Sequence, residues 1–370
     1  MKLESSKSGG WLEVLLLALK LGFTAFGGPA AHIAMLREEV VTRRAWISSE
    51  RFLDLLGAVN LIPGPNSTEL VMHVGLERAG WRGWLAAGLG FILPAASITL
   101  GFAWAYQSYG TKPEFSGVLY GVKPVVMAVV LQAIWGLSSV ALKNWTLRVI
   151  AVLTLVLALL GVNELPLLFA GALILVGIER FKVSRAIPPA MLALGLIPVT
   201  LPGLFWSMLK IGSVLYGSGY VLLAFLHGEF VDRLHWLTSA QLVDAIAIGQ
   251  ITPGPVFSSA TFVGFLIAGF PGAILATVAI FAPAFFFTAI THNLISSIRK
   301  SKLASAFLDG VNASALVLML AVTLELSRTA IVDLWTLALT LVSGFLLVRY
   351  KLNSSYLMLA GVVLGLMVKR

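Results

Sequence analysis

The feature that most limits this chain is a series of apolar runs, each about 20 residues long, with almost no polar sequence between them. A helix rises 1.5 Å per residue, so about 20 apolar residues cross the hydrocarbon core of a bilayer. The runs are continuous rather than alternating, which excludes a transmembrane β-barrel. Charged residues make up 12% of the 370 and apolar ones 58%, whereas a soluble domain carries about 25% charge. The sequence therefore predicts an all-α, multi-pass protein of the cell membrane, solvated by the lipid bilayer.

The formal net charge of +9 does not point to a nucleic-acid partner. Its basic residues sit in short clusters between apolar runs, as the positive-inside rule requires. The absence of cysteine removes disulfides, thiolate metal sites and cysteine nucleophiles together. The first run, WLEVLLLALKLGFTAFGG, carries Glu13 and Lys20 and has no small-residue cleavage signal, so it reads as a retained helix.

Sliding the sequence by 190 positions reveals a duplication. Between residues 20 and 65, 14 of 46 columns are identical, among them Lys20/Lys210, Glu39/Glu229 and Arg43/Arg233. The motif Pro63-Gly64-Pro65 falls on Pro253-Gly254-Pro255. After a one-residue deletion the match continues through Gly83/Gly272 and Gly121-Val122/Gly310-Val311. Residues 1–185 and 186–370 read as two homologous repeats. Each begins with a long apolar segment (11–36; 203–228) and a proline-broken one (48–79; 238–269). Four further segments follow, at 81–109, 115–142, 145–162 and 164–180, then at 271–297, 303–325, 331–348 and 353–368.

Charge placement decides whether the broken segments cross. If they do, twelve spans divide the loop lysines and arginines 12 inside to 11 outside. If they turn back, ten spans with the N-terminus outside divide them 16 to 7. The second arrangement is expected: about ten transmembrane helices plus two re-entrant PGP hairpins. Five spans per repeat is odd, so the second repeat is inverted, as in transporters built on paired broken helices.

Non-helical backbone at membrane depth is tolerated only where it is buried in protein or lines a cavity. The pieces flanking each PGP are too short to span alone. The two motifs themselves, Pro63 to Pro65 and Pro253 to Pro255, are therefore candidates for a substrate site. Asn66, Ser67 and Thr68 in one repeat, and Ser258 and Ser259 in the other, then open a returning half-helix whose free N–H groups favour an anion. A packing hinge with capping hydroxyls is the competing reading. The first segment of each repeat has its own flaw, Gly27-Gly28-Pro29 and Gly217-Ser218-Gly219, which reads either as a kink or as part of the same site. Lys20, Lys210 and Lys123, the last matched by Asn312, are intramembrane charges and hence candidates for an anion site, with ion pairing or snorkelling as the alternative.

Buried acids are few. Glu69 follows the first break directly, and Ser259 holds its place in the second repeat. A carboxyl in a dry site favours its neutral form, so Glu69 is a candidate for a coupling proton, as are His32 and His73; helix capping is the alternative for Glu69, and hydrogen-bonded packing for the histidines. Glu39 with Arg43, and Glu229 with Arg233, are expected to form structural ion pairs. Asp54 and Asp244 are expected to pair with Arg51 or face the aqueous edge. No metalloprotease, nucleophile-elbow or phosphate-loop motif is present, so no enzyme activity, cofactor or metal is expected.

The motifs FGGPAAHIAMLREEVV, IPGPNSTEL, AGWRGWLAAGLGFILPAA, YGSGYVL and IGQITPGPVFSSATFVGF together resemble the chromate ion transporter family, in its long two-domain form and over essentially the whole chain. The resemblance implies a membrane transporter that exports chromate and confers chromate resistance. Its substrate would be a small oxyanion, chromate or the chemically similar sulfate. Sulfate uptake, or a membrane protein with no transport cycle, stands as the alternative, and assembly into a homo-oligomer is left open.

Overall fold

The computed structural model describes residues 10–60, 62–110, 113–162, 164–180, 198–216, 219–291 and 302–368. Among these residues the fold is helical, without strands. The helices are α1 (Gly10–Thr24), α2 (Gly28–Arg37), α3 (Ser49–Val59), α4 (Asn66–Tyr109), α5 (Pro113–Ala141), α6 (Trp145–Leu159) and α7 (Glu164–Arg180). They continue with α8 (Leu201–Val214), α9 (Leu222–His227), α10 (Ser239–Ile251), α11 (Ser259–Thr291), α12 (Lys302–Ala330), α13 (Leu334–Tyr350) and α14 (Ser354–Val368). Helices stand at the expected segments, with α12 running five residues past its expected end; the end expected at 297 lies outside the described residues. The first segment of each repeat is split, into α1 and α2 and into α8 and α9.

Local chemistry sets several ends. Ser48 accepts a hydrogen bond from the Arg51 amide to start α3, and Asn144 accepts one from Leu147 to start α6. Asp333 and Thr336 form a reciprocal capping box at the start of α13.

As a straight rod, the 44-residue α4 would be about 66 Å long, twice what a bilayer requires. It folds back instead. Ala79 and Gly80 leave helical geometry, Gly80 at φ 61° and ψ −151°, and α11 does the same at Ala268 and Gly269, with Gly269 at φ 62° and ψ −152°. The arms on either side then touch, because a Cβ placed on Gly75 would strike the Gly83 carbonyl and one on Gly264 the Gly272 carbonyl. Near the start of α3, the Arg51 guanidinium pairs with Glu77, at the far end of the first arm of α4. That pair brings the outer ends of the two pieces flanking the first PGP together.

Other matched columns also share a conformation. Glu38–Arg43 and Gly228–Arg233 both form a widened π-turn, followed by non-glycine residues in left-handed geometry, Ala45 at φ 49° and His235 at φ 53°. Arg43 pairs with Glu39, and Arg233 with Glu229, as expected.

Two compact units emerge, and each draws on both repeats. One contains α1–α4, α8, α11 and the end of α10; the other contains α5–α7, α9, α12–α14 and the rest of α10. In the first unit, α1 packs along α4, α8 along α11, and α4 against α11. Gly22 lies against the carbonyl of Phe91, and its repeat-mate Gly212 against that of Ile280. In the second, Gly121 of α5 meets Gly361 of α14, while Gly171 of α7 meets Gly310 of α12. Small residues let membrane helices approach closely enough to gain dispersion contacts.

Four helices, α4, α5, α11 and α12, contain stretches long and apolar enough to cross a membrane. In α4 and α11, the arms after the fold-back serve as membrane-length pieces. Trp135, Trp145, Leu160, Leu334 and Tyr356 are at least 70% exposed. Large apolar and aromatic surfaces of this kind are stable in lipid and at its interface. The protein is an all-α integral membrane protein.

Candidate functional site

Proline supplies no N–H and fixes φ, so each Pro-Gly-Pro ends one helix and starts the next. Pro63 and Pro253, the first residues of the two motifs, are buried in bends shortly after α3 and α10. Neither carries an N–H to donate to an anion. They shape the break and leave the donors to the residues that follow. Gly64 adopts φ 137° and Gly254 φ 88°, geometries that favour glycine. Pro65 and Pro255 are extended, and their carbonyls accept from Thr68 (2.8 Å) and Ser258 (2.9 Å) to begin the returning arms. Across the first break, the Asn66 amide donates to the Asn60 side chain at 2.7 Å.

The two breaks lock onto the opposite repeats. The Gly64 amide donates to the Leu215 carbonyl at 2.8 Å, and the Gly254 amide to the Ala25 carbonyl at 2.9 Å. Gly64 and Gly254 are repeat-mates, as are Ala25 and Leu215, so these are one bond made twice. Each acceptor lies just after the first helix of a repeat, next to the glycine flaw. Gly27 and Gly28, at φ 100° and 76°, turn the chain there. Gly217 and Ser218 lie outside the described residues.

Side chains elaborate the two junctions differently. At the Ala25 junction, His32 Nε2 donates to the same Ala25 carbonyl at 3.0 Å, and its Nδ1 lies 3.3 Å from the Ser67 hydroxyl, which donates to it. Thr99 donates to Ser258 at 3.2 Å, and Ser259 to the Val256 carbonyl at 2.9 Å. At the Leu215 junction, the Glu69 carboxyl is fully buried and rests against the α-carbon of Gly64, where a Cβ would collide with it. Neither of its oxygens is hydrogen-bonded among the described residues, and the buried Thr68 hydroxyl is likewise unbonded. Glu69 therefore does not cap α4.

Two of the cationic candidates, Lys20 and Lys123, have acidic partners. Lys20 donates to Glu39 at 2.7 Å. Lys123 lies 2.6 Å from Asp244, the pair being 19% and 6% exposed. Arg51 pairs with Glu77. Lys210 on α8 and Asn312 on α12 are half-buried. Lys20, Lys210 and the two breaks share the first unit; Lys123 and Asn312 belong to the second.

A family model described as Chromate transporter matches residues 12–178 and 203–366. The chain belongs to the chromate transporter family. The chromate transport protein of Cupriavidus metallidurans is 31% identical over 366 residues, covering 95% of this chain and 91% of that protein. The chromate transport protein of Pseudomonas aeruginosa is 32% identical, with 84% and 79% covered. A probable chromate transport protein of Synechococcus elongatus is 31% identical, with 88% and 86% covered. No solved structure matches the chain.

In this chromate transporter family member, reading the motifs alone missed the carbonyls of Ala25 and Leu215, the hydroxyl of Thr99, and Tyr216, which interacts electrostatically with Glu69. Only Tyr216 left a usable trace in the sequence: its repeat-mate is Phe26, which carries no hydroxyl.

Proposed function

We propose that this protein is a secondary transporter that exports chromate across the cytoplasmic membrane and confers chromate resistance. Two observations support this: family membership, with relatives named chromate transport proteins, and the pair of breaks whose half-helix ends are held by the opposite repeat. In this reading the repeats are inverted, ten helices cross, and the two PGP hairpins enter and return. The first turns at Asn66–Thr68 and at Ser258–Ser259 present N–H groups and hydroxyls to a tetrahedral dianion. Lys20 supplies positive charge once Glu39 yields to the anion, and Lys210 of the same unit adds to it. Family membership supports a transporter.

Proteoliposomes loaded with labelled chromate test this. Efflux that unlabelled chromate accelerates by exchange supports the reading. Transport of labelled sulfate without transport of chromate would replace the substrate, and movement of neither anion would refute transport.

A further inference from the structure

The two junctions are equivalent in backbone and unequal in chemistry. Glu69 presses on Gly64, and Gly64 is bonded to Leu215, so the residue after Leu215 is brought to the same place. That residue is Tyr216, half-buried and within electrostatic range of the Glu69 carboxyl. At the other junction the corresponding residues are Ser259, whose hydroxyl is committed to the Val256 carbonyl, and Phe26. The acid and the hydroxyl belong to different repeats, yet both are present at one junction and both are replaced at the other.

We infer that Glu69 and Tyr216 form a proton-binding pair shared between the repeats. This rests on the transporter reading, to which it adds the coupled ion. A bare carboxylate without donors in a dry interior costs several kcal/mol. The Glu69 carboxyl therefore sits against Gly64 as the neutral acid. On losing its proton to an aqueous pathway it needs a donor, and the Tyr216 hydroxyl supplies one. Ionisation thereby draws the carboxylate off Gly64 and toward the second repeat, loosening the first break while the second stays locked.

Other charged groups around this arm are already engaged or lie elsewhere on it. From α1, Glu13 pairs with Arg78 and Lys20 with Glu39; from α3, Arg51 pairs with Glu77 and Asp54 is half-buried. From α2, His32 is bonded to Ser67 and Ala25. His73 is one turn further along α4, Lys210 lies on α8, and α11 brings no charged residue.

Infrared difference spectra of the purified protein through a pH titration give a readout independent of transport. The expected result is a carboxylic-acid C=O band that Glu69→Gln abolishes and Tyr216→Phe shifts. Chromate movement in proteoliposomes under an imposed pH gradient gives the second readout. Glu69→Gln should keep chromate exchange and lose its response to the gradient. Tyr216→Phe should move the pH midpoint of transport upward by about one unit, because the ionised carboxylate loses a donor. A band unchanged in Tyr216→Phe, with a wild-type pH profile, overturns the pair. A wild-type pH response in Glu69→Gln overturns the proton site. A wild-type protein that shows the band but moves no chromate refutes the transport reading and leaves the proton site standing.

Discussion

The Gly64 amide donates to the carbonyl of Leu215, 151 positions away in the other repeat, at 2.8 Å. The mirror bond, from Gly254 to Ala25, closes the other side. Each repeat thus completes the broken helix of its partner. A buried amide left without an acceptor costs about 1–3 kcal/mol.

Residues 1–185 produced alone should therefore fail to give a stable protein, and co-expression with residues 186–370 should restore it. Detergent-resistant co-purification of the two pieces would show this. Stable, monodisperse residues 1–185 on their own would show that the repeats fold independently.

The fold-backs separate backbone strain from crowding. Gly80 has open space around its α-carbon but sits at φ 61°, ψ −151°, so Gly80→Ala pays only for conformation, of order 1–3 kcal/mol. Gly83→Ala drives a methyl into the Gly75 carbonyl and should cost more, through separation of the arms. Thermal unfolding of the two variants should rank Gly83→Ala as the less stable.

Lys123 tests pairing against substrate binding. Removing one member of a buried ion pair costs roughly 3–5 kcal/mol, so Lys123→Met should be strongly destabilised by the buried charge of Asp244. Adding Asp244→Asn should recover stability. If the double variant also recovers chromate transport, Lys123 is structural; if it is stable but inactive, Lys123 contacts the anion.

The Glu39 cluster carries a pH signature. The hydrogen bond from Lys20, with Arg44 beside it, holds the Glu39 carboxyl below its usual 4.5. A depressed folded value means that the stabilisation is complete above 4.5 and is lost as the pH falls through the folded value. Lys20→Met should lower stability at pH 7 by about 1 kcal/mol or less, since Lys20 is 48% exposed. Its melting temperature should also fall less than the wild type's on acidification from pH 6 to about pH 3.

The absence of cysteine makes topology easy to probe. Arg82→Cys should be shielded from an impermeant thiol reagent added outside intact cells, and Pro271→Cys should react. Labelling of both from the same side would argue against inversion of the repeats.

The sequence by itself determined the helical membrane class, the segments and the places where helices stop. Proline lacks an N–H and glycine tolerates positive φ wherever the chain runs, so Pro63-Gly64-Pro65 and Pro253-Gly254-Pro255 announce their turns locally. The pairs Arg43–Glu39 and Arg233–Glu229 were legible for the same reason, since four residues is one helical turn. Tertiary structure alone decided that Lys123 meets Asp244, that Arg51 meets Glu77, and that each break is held by the other repeat. Those partners depend on which helix packs beside which, and that choice is set by close approaches such as Gly121 to Gly361, whose glycines look the same in sequence whatever they face. The Glu69 carboxyl lies between these cases: its position after the break is written in the chain, while its seat on Gly64 and its nearness to Tyr216 exist only because the two repeats interlock.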